Sequence, residues 1–243
     1  MIYIISDIHG CYAEYKQLLK DINFKDSDDL YVLGDILDRG PHPIKVIQDM
    51  MMRPNVFPII GNHDLLGVMM LKKLSVEITE ENAEHIISDE DMQSYMDWMQ
   101  DGGMTTLSEF KELDMEERDD VIEYIEEEFS IYHELVHKGK KYVLVHAGID
   151  NFEDGKDIGD YSLADLLFHR ADYSRRYFGD ENTYLVTGHT PTVNIRNDRK
   201  PVIYKENGHI AIDCGCVFGG QLAAYCVDTG ECFYVKKSEQ MHG

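Results

Sequence analysis

The chain predicts an α/β fold, and three features carry that reading. Short apolar runs alternate with amphipathic helical patterns through the first third. A helical stretch from 64 to 134 then interrupts the alternation. Strand patterns return from Tyr142 onward.

Taken in order, IYIIS (2–6) reads as a strand and CYAEYKQLLKDI (11–22) as an amphipathic helix. LYVLG (30–34) follows as a strand, PIKVIQDMMM (43–52) as a helix and VFPIIG (56–61) as a strand. This βαβαβ order implies a parallel sheet, because parallel neighbours need a long crossover connection. LLGVMMLKKL (65–74), EDMQSYMDWMQ (90–100) and ERDDVIEYIEEEF (117–129) read as helices, with Gly102-Gly103 at a junction. They form a helical insertion at about 65–134 on a single domain spanning 1–243. YVLVH, YLVTG and HIAIDCG then read as strands, and LAAYCVD-TG-ECFYVK as a hairpin turning at Thr229-Gly230.

A length of 243 residues with 43% hydrophobic content is enough for a full core. The apolar run of MIYIISDIHG is too short for a signal peptide or membrane span, so a cytoplasmic protein is expected. The five cysteines lack zinc-ribbon or CxxC spacing, and reduced thiols are expected. The net charge of −23 is uneven. Residues 75–134 hold 21 of the 46 acidic residues and only Lys111 and Arg118 as cations, a net −19, which leaves −4 elsewhere. Such a surface disfavours nucleic acid and anionic membranes as partners.

The chemistry sits at strand ends. SDIHG carries Asp7 and His9; GDILDRG carries Asp35, Asp38 and Arg39; GNHD carries Asn62, His63 and Asp64. VHAG carries His146 and GHTP carries His189. Carboxyl ends of parallel strands share one sheet edge, where ligands bind. Singly, such motifs are weak; five in this order, each after an apolar strand, are not a chance pattern. Carboxylate, imidazole and amide donors without cysteine suit manganese, iron or zinc. Six ligand residues exceed one tetrahedral site, so two ions are expected, with Asp35 as the natural bridge. Two ions about 3.5–4 Å apart clamp the oxygens of an in-line displacement at phosphorus and acidify water to hydroxide.

DxHG, GDxxDRG, GNH[DE], HAG and GHTP together resemble the calcineurin-like metallophosphoesterases, in the bacterial and lambda phosphatase form of their phosphoprotein phosphatase branch. The likeness runs from Met1 to about Val235 and includes WMQDGG (98–103) and IDCGCVFGG (212–220). It implies a β-sandwich of mixed sheets flanked by helices in four layers, α-β-β-α. It further implies that Asp7 and His9 hold the first ion, that Asp35 bridges, and that Asn62, His146 and His189 hold the second. The nucleophile would be a metal-bridging hydroxide. His63 would be the general acid, oriented by Asp38. Arg39 matches the first phosphate-binding arginine and Arg170, in LFHRAD, the second, although Phe168 and His169 replace the Trp and Asn of the lambda stretch.

The resemblance implies a metal-dependent phosphatase, a phosphomonoesterase using manganese and acting on phosphoserine or phosphothreonine in proteins. The alternative is hydrolysis of a diadenosine polyphosphate or another small phosphoester; a non-catalytic metal-binding scaffold is a third reading. GNHD followed by LL matches the symmetrical diadenosine tetraphosphate hydrolases, whereas GHTP departs from their GHWA. An insertion carrying −19 beside the pocket would repel a four-phosphate chain, which favours peptides. No cysteine has an arginine six positions on, and no P-loop is present, which excludes cysteine-dependent and nucleotide-driven phosphoryl chemistry. His42, His85, His133, His137, His169, His209 and His242 lie outside the motifs and are expected at the surface or in packing, as are Cys214 and Cys216.

Overall fold

The computed structural model describes residues 1–75 and 88–238. Strands β1 (Ile2–Ile5), β2 (Asp29–Val32) and β3 (Val56–Pro58) run parallel, joined by helices α1 (Tyr12–Asp21) and α2 (Pro43–Met51). Helices α3 (Asn62–Ser75), α4 (Asp89–Trp98), α5 (Met104–Glu112) and α6 (Met115–Glu128) follow, with a π-turn at Met99–Gly103 between α4 and α5. A second sheet holds β4 (Tyr132–His137), β5 (Lys140–Val145), β6 (Thr183–Thr187), β7 (Tyr204–Glu206) and β8 (His209–Ala211), with α7 (Leu163–Leu167) in the β5–β6 connection. The hairpin β9 (Gln221–Cys226) and β10 (Cys232–Lys236) returns to the first sheet.

The strand orders are β10-β9-β1-β2-β3 and β4-β5-β6-β8-β7. Each sheet is mixed: a parallel centre carries antiparallel strands at one or both edges. The parallel sheet read from the βαβαβ order is thus one part of two mixed sheets flanked by helices.

Side-chain alternation explains the layers. In β1, Tyr3 and Ile5 face the helices α1, α2, α3, α5 and α6, while Ile4 faces the other sheet. In β5, Tyr142 and Leu144 face inward between the sheets, while Val143 and Val145 pack under α7. Strands apolar on both faces are those buried between two layers. Three apolar clusters therefore fill the three interfaces of four layers.

Several elements differ from expectation. Helix α3 begins at Asn62 rather than Leu65, so the GNHD motif forms its first turn. Helix α5 was not expected, because MTTLSEFKE follows two glycines and opens with paired threonines. Strands β4 and β7 were not expected either; they are sheet edges, where one-sided burial weakens the apolar signal. Among the described residues no helix is long and apolar enough to cross a membrane.

Candidate active site

The strand-end residues converge, but not on a single sheet edge. The first sheet delivers Asp7 and His9 after β1, Asp35, Asp38 and Arg39 after β2, and Asn62 and His63 after β3. The second delivers His146 after β5 and His189 after β6. Within the second sheet the Gly188 N–H donates to His146 O (2.8 Å), and the His189 N–H donates to Asp7 of the first sheet (3.0 and 3.1 Å), which ties the two edges together at the site.

The local backbone is unusual there. Asp7, His9, Asp35, Asp38, Arg39 and His189 all adopt left-handed φ values, between 42° and 69°. Non-glycine residues rarely do so, and a cluster of them concentrates strain where side chains must be aimed. Gly34, itself at φ 80°, allows a close approach: a Cβ on it would lie 2.6 Å from the Gly61 backbone.

Two donor groups share Asp35. His9, Asp35 and His63 offer ligand atoms within 4.8 Å of one another, and so do Asp35, His146 and His189. His9 Nε2 lies 3.5 Å from Asp35 Oδ2, and His146 Nε2 lies 3.4 Å from Asp35 Oδ1. Asn62 Oδ1 is 3.0 Å from both His146 Nε2 and His189 Nδ1. The Nδ1–H groups of His9 and His146 donate to Leu37 O (2.8 Å) and Leu33 O (2.7 Å), which turns each Nε2 lone pair toward Asp35. Asp7, expected beside His9, falls outside both groups; its carboxylate accepts the Ser6 hydroxyl and the His189 N–H.

The electrostatics fit cations. Burial, then Asp213 and Asp35, push the Asp7 pKa well up; burial and Asp35 push Asp213 to about 7. Burial opposes ionisation of Asp35 as well, but the imidazoles of His146, His9 and His63 hold its pKa below the ordinary range. Burial holds the imidazoles of His9 and His189 neutral, with pKa values of about 3 and about 4. Neutral imidazoles and crowded buried carboxylates are what divalent ions neutralise. The donor set accommodates two such ions around a shared Asp35.

His63 is held from behind. Its Nδ1–H donates to Asp38 Oδ2 at 2.9 Å. Asp38 also accepts from Trp98 Nε1 (2.9 and 3.1 Å) and Thr106 Oγ1 (2.6 Å), so the helical segment after α3 supplies two of its donors. Burial lowers the His63 pKa, but the bond to Asp38 and the charge of Asp35 outweigh it, and the pKa is raised. His63 Nε2 points to the cleft, 3.4 Å from Asp101 Oδ2.

Asp64 does not face the cleft. Its fully buried carboxylate accepts the N–H groups of Asp35 (2.8 Å), Ile36 (2.9 Å), Leu37 (3.0 Å) and Gly61 (2.9 Å). The last residue of GNHD therefore braces the GDILDRG turn, and its identity reports on backbone rather than on substrate.

Arg39 and Arg170 line one cleft of about 680 Å³, together with Asp35, Asn62, His63 and His189. Arg39 reaches His9 Nε2 (2.9 Å) and Asp101 Oδ1 (2.9 Å), and its guanidinium lies 5.3 Å from the Phe218 ring centre. Gly102, at φ 111°, leaves room for this turn: a Cβ there would lie 2.6 Å from Arg39 Cγ. Sequence reading missed Asp213, Trp98, Thr106, Asp101 and Phe218. The only signals for four of them were the WMQDGG and IDCGCVFGG strings, and Thr106 lies in neither.

His42 is bonded to Glu109 (2.7 Å) and is not among the residues lining the cleft. His209 is buried on Thr187 and stacked on Tyr173. His85 and His242 lie outside the described residues. Cys11, Glu14 and Cys216 form the other close donor group among the described residues. Lys237 Nζ sits 3.2 Å from Glu14 and 3.4 Å from Cys11 and supplies the positive charge there.

A calcineurin-like phosphoesterase family model matches residues 1–222. A bis(5'-nucleosyl)-tetraphosphatase PrpE, asymmetrical, of Halalkalibacterium halodurans is 30% identical, over 91% of this chain and 87% of that protein. A symmetrical bis(5'-nucleosyl)-tetraphosphatase of Wigglesworthia glossinidia brevipalpis is 30% identical, over 46% of this chain and 42% of its own length. The crystal structure of a putative diadenosine tetraphosphatase superposes with a TM-score of 0.62 at 20% identity, covering 98% of this chain and 93% of that one.

Proposed function

The chain belongs to the calcineurin-like phosphoesterase family, and on that basis we propose that it hydrolyses dinucleoside tetraphosphates with two divalent ions. The alternative weighed from sequence thus displaces the protein phosphatase reading. The observation that carries it is the lining of the cleft. Of the acidic residues between 75 and 134, only Asp101 lines it among the described residues, whereas Arg39 and Arg170 both do. The acidic charge on the described residues of that segment therefore offers no objection to a polyphosphate, and about 680 Å³ is generous for a single phosphate. The bond cleaved is a phosphoanhydride rather than a monoester. The full-length likeness to an asymmetrical enzyme favours ATP and AMP as products over two ADP.

Asp7, His9, Asp35, Asn62, His146 and His189 would hold the ions, a donor set that suits manganese, iron or zinc. Bound there, the ions supply Lewis-acid polarisation of the phosphate and an acidified water. Arg39 and Arg170 bind the non-attacked phosphate oxygens as charge-assisted donors. His63 gives its Nε2 proton to the leaving nucleotide oxygen, and Asp38 stabilises the imidazolium before transfer and holds the ring in line.

The test compares kcat/KM for diadenosine tetraphosphate with that for phosphothreonine peptides, with manganese present, and identifies the nucleotides formed. At least a tenfold preference for the dinucleotide, with ATP and AMP formed, is expected. A tenfold preference for any peptide would restore the protein phosphatase reading.

A further inference from the structure

Phe218 is the least explained large residue of the cleft. It is 66% exposed, yet it sits on a built turn rather than a loose loop. The turn Cys216–Phe218 is framed by Gly215 and Gly219, at φ 67° and 87°, and closed by Phe218 N–H to Gly215 O (3.0 Å) and Gly220 N–H to Gly215 O (2.9 Å). Cys216, two residues earlier, is buried in the apolar core and fixes the turn from below. The ring is thus held out toward solvent at the cleft, with Arg39 as its stacking neighbour.

The position relative to the phosphate end is informative. The same Arg39 guanidinium that reaches His9 Nε2 lies against the Phe218 ring, so it links the donor groups to the aromatic surface. The same lining holds Pro191, Val193 and Pro201, which are apolar, and Asn194, which carries an amide. One cleft therefore holds cationic and metal-ligating residues together with apolar ones, a flat ring and an amide.

We propose that Phe218 is the stacking platform of a nucleobase subsite, with Pro191 and Val193 as apolar walls and Asn194 as an edge hydrogen-bonding group. The occupant is the base of the nucleotide whose phosphates lie on Arg39. This inference rests on the dinucleoside tetraphosphate reading and assigns where one nucleoside goes. A ring face is tolerant of base identity, so the subsite favours nucleotides over base-free phosphates without selecting sharply among bases.

The test measures kcat/KM for diadenosine tetraphosphate and for inorganic tetraphosphate in wild type, Phe218→Ala, Phe218→Leu and Phe218→Trp. Where inorganic tetraphosphate is not cleaved, its inhibition constant replaces kcat/KM. The expected result is a fall of about tenfold in the dinucleotide-to-tetraphosphate ratio for Phe218→Ala and Phe218→Leu, recovered in Phe218→Trp. A ratio unchanged in Phe218→Ala while wild type cleaves the dinucleotide overturns the subsite alone. So does an equal loss on both compounds, which would mean that the ring only supports Arg39. A loss confined to phosphopeptides would make the platform one for a peptide side chain and overturn it as well. Wild-type protein inert toward diadenosine tetraphosphate overturns the functional reading and the subsite together.

Discussion

His63 and Asp38 form a buried pair, with Nδ1 2.9 Å from Oδ2 and the carboxylate wholly enclosed by Trp98 and Thr106. Asp38 accepts from three side-chain donors, which hold its carboxylate in place against one imidazole. That arrangement keeps the far nitrogen of His63 protonated at higher pH than burial alone would allow.

The His63→Asn protein should therefore turn over about 10²–10⁴-fold more slowly. The loss should shrink on substrates with good leaving groups, which need little protonation. Asp38→Asn should move the basic limb of the pH–rate profile to lower pH, because the partner that raises the His63 pKa is gone. A limb that stays put in Asp38→Asn, or a His63 defect equal on good and poor leaving groups, would remove the acid role.

Metal content separates ligand from acid. Elemental analysis should find two divalent ions per chain in wild type. Occupancy should fall in Asp35→Asn and His146→Ala, and stay at two in His63→Asn. Because His63 Nε2 shares a donor group with His9 and Asp35, loss of an ion from His63→Asn would recast His63 as a ligand.

Asp64→Asn should destabilise the metal-free protein by about 1–3 kcal/mol in urea unfolding, since one amide cannot accept four backbone N–H groups and its own NH₂ would face some of them. A change below about 0.5 kcal/mol, the size of an ordinary surface substitution, would mean that the turn does not depend on this carboxylate.

The metal-free protein should lose stability as pH rises from about 6.5 to 8; below that range His9 and His189, held neutral by burial, act in the opposite direction. Burial, assisted by Asp35, raises the folded pKa of Asp64 to about 6 and of Asp213 to about 7. A group with a raised folded pKa stabilises fully below its unfolded value and loses that contribution as pH climbs through the folded one. Added manganese should accordingly raise Tm more at pH 8 than at pH 6. A Tm gain that is larger at the lower pH would contradict the carboxylate cluster as the cause.

Much of the site was legible because its chemistry is local. Asp7, Asp35, Asn62, His146 and His189 each follow an apolar run within a few residues, so strand periodicity alone announces that they stand at strand ends. The ligand-rich strand ends of the first sheet were read correctly as parallel neighbours. Their meeting with β5 and β6 across two sheets was not, because side-chain period records burial on both faces but not which sheet lies opposite.

From residue type and spacing along a few bonds, the sequence by itself placed the candidate donors at strand ends and pointed to phosphoryl chemistry, while the candidate acid was implied by the family resemblance. Tertiary structure alone decided what surrounds them. Trp98 and Thr106 reach Asp38 from 60 and 68 residues away, and Asp64 turns inward to brace its neighbours instead of facing substrate. Phe218 lines the cleft, whereas among the described acidic residues between 75 and 134 only Asp101 does. The physical reason is that charge and polarity are counted along the chain, whereas a ligand meets only the side chains that packing turns toward it.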